Sequence, residues 1–159
     1  MKPPSFFAHD SVLVSLLFRF FLPLDTVNRI DKLGQLLPLP TRVLYGGIIE
    51  ELLLRWGFMT LLVWLGWRLL QRNRPKPSSA CFIGAILFSS VVFAAGHLPL
   101  AFFLIPQVTF TLILYVILAN SVFGLIAGYL YWKKGLEAAV LAHMLAHLVI
   151  VFGPRLFIR

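Results

Sequence analysis

The chain has 159 residues, 60% hydrophobic and 13% charged, with a mean hydropathy of +0.90. A soluble domain of this length could not enclose so much apolar surface, so the composition excludes a soluble globular protein and points to one integral membrane domain over residues 1–159. The net charge of +8 comes from basic residues at segment ends and in short loops, not along a helical stripe, which excludes a nucleic-acid surface and suits anionic lipid headgroups of a bilayer.

Residues 11–24 are apolar but short, contain Arg19 and hold Pro23 near their end. They are expected to form an interfacial or partly inserted helix rather than a full span. A signal peptide is not expected, because Lys2 is a thin basic region and no small-residue cleavage site follows. Residues 25–42 form a polar, proline-containing connector.

Four spanning helices are expected next, over residues 43–70, 79–98, 108–132 and 136–152. A bilayer crossing takes about 20 mostly apolar residues. The fold class is therefore all-α: a polytopic transmembrane bundle of four spanning helices plus the short N-terminal helix. The first two spans are joined by a basic loop with Arg72, Arg74 and Lys76, expected on the cytoplasmic side together with Lys133 and Lys134. Trp64, Trp67, Tyr131 and Trp132 fall at that same level, as an aromatic belt does, while Arg29, Lys32, Arg42, Arg155 and Arg159 on the far side argue against this orientation. The connector 99–106 is uncharged and apolar, suited to dip into the membrane or line a cavity. Gly124 and Gly128 have the small-xxx-small spacing of close helix packing. Cys81 is the only cysteine, which excludes an intrachain disulfide and leaves it as a small apolar residue.

The polar residues inside the apolar runs carry the functional signal. Glu50-Glu51-Leu52-Leu53-Leu54-Arg55 places three charges in the first span, each costing about 2.5–3.5 kcal/mol at membrane depth. Glu51 and Arg55 stand at i, i+4 with the acid first, the favourable order for a structural ion pair. Glu50 gains no partner from its own helix, since the residue four on is Leu54, and its carboxylate is left available as a proton acceptor. His97 lies near the end of the second helix, at the level of Glu50 in an antiparallel hairpin. From residue 136, a rise of 1.5 Å per residue carries His147 about 16 Å, past the middle of a core roughly 30 Å thick, with His143 one turn nearer the start. Taken singly, His97 beside Pro99 reads as a helix cap, and His143 and His147 as interhelical hydrogen bonders. Taken together, they form a site.

Three clusters resemble the CPBP family, the CAAX proteases and bacteriocin-processing enzymes also called Abi. Its Glu-Glu-x-x-x-Arg motif is matched by Glu50-Glu51-Leu52-Leu53-Leu54-Arg55, its Phe-x-x-x-His motif by Phe93-Ala94-Ala95-Gly96-His97, and its His-x-x-x-Asn motif by His143-Met144-Leu145-Ala146-His147. The resemblance implies an intramembrane glutamic endopeptidase that uses no metal and no cofactor. By it, Glu50 and His97 activate a water, His143 and His147 stabilise the oxyanion, and Glu51 with Arg55 holds the first helix in register. It further implies a membrane protein or peptide as substrate and a multi-pass location in a bacterial inner membrane. Two departures stand out. Position 147 is His where the pattern commonly has Asn, and the chain is shorter than typical members, which leaves room for a homodimer or another partner. Two other readings stay open. His143 and His147 at i, i+4 could bind a metal with Glu50 or His97, although Met144 stands where a zincin has its Glu. A non-enzymatic bacteriocin-immunity or scaffold protein could also keep this fold.

Overall fold

The computed structural model describes Thr26, Arg29 and residues 38–157, and the expected helix at 11–24 lies outside the described residues. The regular structure among the described residues is helical. After Pro38 the chain enters Leu39–Leu44 with Pro40 in the first turn, where a missing N–H costs nothing. It continues through Tyr45–Glu50 and Leu52–Met59, both wound with i→i+5 hydrogen bonds, into Thr60–Leu70. The backbone stays right-handed helical at Tyr45, Glu51 and Thr60, so the four pieces make one rod, α1, over residues 39–70. It begins four residues before the expected 43.

The wide winding follows from which residues α1 must bury. Gly47, Glu51, Arg55, Met59 and Val63 are buried at a constant step of four, while Leu53, Trp56, Leu61 and Trp64 are exposed. In a regular α-helix each step of four overshoots a full turn by about 40°. The fourth step would then point Val63 about 160° away from Gly47. The broader i→i+5 turn keeps such a row on one face, a use to which π segments are often put near functional sites.

Helix α2 covers Ser79–Gly96, and after His97 a short helix α3 covers Leu98–Leu104. The second helix stops at Gly96 rather than 98, and residues 99–104 of the apolar connector are helical. Pro99 explains both, because it has no N–H to bond the carbonyl four residues back and so continue α2, yet is well placed in the first turn of a new helix. Helix α4 covers Phe110–Lys134, two residues later at each end than the expected 108–132. The Thr109 hydroxyl caps it by accepting from Leu112 N at 3.2 Å. Gly135, at φ 95°, turns the chain straight into α5, Leu136–Phe157, which outruns the expected end at 152.

Helices α2 and α4 form the tightest seam. A Cβ on Gly124 would stand 2.9 Å from Ser90 Cβ and 3.0 Å from Ser90 Cα, and one on Gly128 would stand 3.1 Å from Ile86. Ala85 and Ala94 of α2 and Ala119 and Ala127 of α4 are buried as well. Backbones approach this closely only because the side chains are small. Gly124→Ala is therefore expected to lower the melting temperature of detergent-purified protein by the equivalent of about 1–3 kcal/mol of overpacking. Gly84→Ala, with nothing within 4 Å of the new methyl, is expected to leave it unchanged or raise it. Equal melting temperatures for Gly124→Ala and wild type would contradict the seam.

Ser79–Phe103 and Phe110–Lys134 are each long and apolar enough to cross a membrane, and Leu136–Val149 is apolar but shorter. Only 39% and 33% of the two long apolar windows is buried, so these are not the core helices of a soluble protein. Their outward face carries Leu87, Phe88, Leu118, Val122 and Ile126, the surface of an integral membrane protein turned to lipid. At one end of the bundle, Phe82 stacks on Trp132 at 5.0 Å, Lys133 Nζ lies 3.4 Å above the Trp132 ring, and the Thr60 and Tyr131 hydroxyls bond at 2.7 Å. Gln71 donates to Ser78 Oγ at 2.7 Å and accepts from Ser78 N at 3.1 Å, closing the basic loop between α1 and α2. Cys81 is a free thiol packed beside Met59, Val63, Ala85 and Ile86.

Candidate active site

The i→i+5 row of α1 turns Glu51 and Arg55 inward. Both side chains are fully buried, and Glu51 Oε2 lies 3.1 Å from Arg55 Nε. The contact is an ion pair, and among the described residues Arg55 Nη1 and Nη2 have no hydrogen-bond acceptor. The guanidinium lies instead over the Phe93 ring, 5.3 Å from its centroid, a cation–π contact from α2.

The other Glu51 oxygen reaches α5. Glu51 Oε1 accepts from His143 Nδ1 at 2.8 Å. An ionised carboxylate only accepts, so the Nδ1 of His143 carries its proton and the chemistry of this ring is left to Nε2. Glu50 Oε2 stands 4.0 Å from that Nε2. Unlike Glu51, Glu50 keeps 22% of its side chain exposed, so a solvent or substrate atom can reach it. One carboxylate is thus buried and committed, and its sequence neighbour is close to the same imidazole yet unbonded.

His97 sits at the break between α2 and α3, half-buried, with Nδ1 2.9 Å from the Phe93 carbonyl oxygen. A carbonyl can only accept, so Nδ1–H donates and Nε2 presents a lone pair in the neutral ring. The Phe93 ring meets His97 edge-on at 4.7 Å and His143 at 6.0 Å. Phe123 of α4 packs on His143 at 4.3 Å, and His147 stacks on His143 at 5.0 Å with their planes 17° apart.

Glu50, Glu51, Arg55, His143 and His147 therefore gather where α1 crosses α5. His97 joins them through Phe93, and no Glu50–His97 ion pair forms among the described residues. No group of three or more His, Cys, Asp and Glu side chains there is arranged to hold a metal ion, again among the described residues. Sequence reasoning missed Phe123, which nothing distinguishes from the other 14 phenylalanines. It also missed Gly46 and Gly47, buried where α1 meets α5. Here a signal exists: two adjacent glycines inside a helix cost about 1 kcal/mol each relative to alanine and call for a reason.

A family model, Type II CAAX prenyl endopeptidase Rce1-like, matches residues 32–149, a stretch that holds every residue of this cluster. No curated protein and no solved structure gives a match. On a match covering most of its length, the chain belongs to the Rce1-like family, whose members are intramembrane glutamic endopeptidases, and it is an enzyme of that class.

Proposed function

We propose that the chain hydrolyses a peptide bond of a membrane-associated protein or peptide, with Glu50 and His97 activating the water and His143 and His147 stabilising the oxyanion. The observation that carries this reading is the Glu51 carboxylate shared between Arg55 and His143, which ties α1 to α5 and leaves Glu50 open beside His143 Nε2. A water held by Glu50 and the His97 Nε2 lone pair loses a proton to them as its oxygen bonds to the scissile carbonyl carbon. The carbonyl electron pair moves to oxygen, where donors aimed at the developing charge stabilise it. With its Nδ1–H given to Glu51, His143 can donate there only when Nε2 also carries a proton. The tetrahedral intermediate then expels the amine, which takes back the proton, and the C–N bond breaks. Polar geometry that is loose without substrate is normal for such sites.

The finer topology belongs to the same reading. Residues 39–70 and Leu136–Phe157 also cross the bilayer, the latter rising about 33 Å. That gives a single domain of four spans in a bacterial inner membrane, with a homodimer as one assembly.

The test compares the termini of membrane-associated peptides in host cells lacking the protein, rescued with wild type or with Glu50→Ala at matched expression. New termini with wild type alone are expected. Identical termini in both, with candidate substrates present, would overturn the protease reading in favour of an immunity or scaffold role.

A further inference from the structure

Gly46 and Gly47 lie where the first i→i+5 segment of α1 meets α5, and each faces a different residue there. A Cβ on Gly46 would collide with His147 Nε2, and it would stand 3.1 Å from His147 Cδ2 and 3.3 Å from His143 Nε2. A Cβ on Gly47 would collide only with the Met144 side chain, at Cγ. The two neighbours differ in how they can respond. Methionine is flexible and can swing a methylene aside. The imidazoles cannot move so freely, because His143 is held by Glu51 at 2.8 Å and by Phe123 at 4.3 Å, and His147 is stacked on His143 at 5.0 Å. A methyl at 46 would therefore push His147 off its stack, and the atoms within reach of it are His147 Nε2 and Cδ2 and His143 Nε2.

We propose that Gly46 is a positioning residue of this site: its missing side chain makes the space that the His147 imidazole fills, and so sets where the Nε2 atoms of His147 and His143 stand. The assignment rests on the protease reading for its catalytic consequence, but its steric content is independent of it. Asparagine at 147 is shorter than histidine and still offers an N–H donor. A methyl at 46 and a shorter residue at 147 should therefore compensate one another, which neither unrelated packing nor a general loss of helix stability would produce.

The experiment is a double-mutant cycle on the full chain with Gly46→Ala, His147→Asn and the pair, and with Gly47→Ala beside it. Melting temperature in detergent and the steady-state rate on a cleaved substrate peptide are both read. Gly46→Ala is expected to lower kcat by about 10²-fold, the scale of an ångström's misplacement, with KM little changed. The pair is expected to match His147→Asn alone in both kcat and melting temperature. Gly47→Ala is expected to lower melting temperature while keeping most of kcat. Additive losses in the pair would overturn the proposal, as would a kcat loss for Gly47→Ala equal to that for Gly46→Ala. If Gly46→Ala does not accumulate, accumulation of the pair carries the same reading and joint loss overturns it. A wild type with no Glu50-dependent cleavage would sink the protease reading, and the melting-temperature cycle would still decide whether Gly46 makes the space for His147.

Discussion

Arg55→Ala is expected to reduce folded yield sharply, with a loss of about 3–5 kcal/mol, because it leaves the Glu51 carboxylate buried without its cation. Glu51→Ala should be at least as damaging. It removes the partner of Arg55 and the acceptor of His143 Nδ1 in one step. Replacing both partners is a different case: Glu51→Leu with Arg55→Leu removes the two buried charges together, and such exchanges are often neutral or stabilising. The double variant should therefore recover melting temperature and a monodisperse chromatographic peak in detergent while remaining inactive, since His143 has lost the group that orients it. Single variants that melt with wild type would show that the buried pair does not contribute to stability.

The second large effect is on rate alone. Glu50→Gln and His97→Ala should each slow cleavage by about 10²–10⁴-fold, the usual contribution of general acid–base catalysis. Neither group is fully buried, and neither is the anchor of a buried ion network, so melting temperature should change little. Initial rates on a membrane-reconstituted substrate, read beside the melting curve, separate this from unfolding. Retention of more than about a tenth of wild-type activity by either variant would remove that residue from the proton-transfer step.

These two sets of residues differ in how far the sequence alone discloses them. The Glu51–Arg55 pair is legible because both partners lie on one helix, and spacing fixes their approach. The bond from Glu51 to His143 joins residues 92 apart and depends on how α1 crosses α5, which no local pattern encodes. The helical runs are legible from apolar length, but their ends shift by a few residues wherever proline, threonine or glycine decides the last turn. The winding of α1 escapes because its four-step row contains Glu51 and Arg55. A search for apolar periodicity sees a gap there, although these are the residues the row exists to bury. The level of His97 beside Glu50 follows from the hairpin, but the bond of its Nδ1 to the Phe93 carbonyl depends on how α2 ends, which apolar length does not show.

The turn at Gly135 has a consequence for where a substrate would be cut. Because α5 starts immediately after it, His143 and His147 stand seven and eleven residues along a helix that begins at the basic pair Lys133 and Lys134. At 1.5 Å per residue this places the two imidazoles about 10–16 Å along α5 from that end of the bundle. An extended polypeptide covers that depth in roughly three to five residues. On the protease reading, a bond about three to five extended residues inside that end of the bundle would meet the imidazoles.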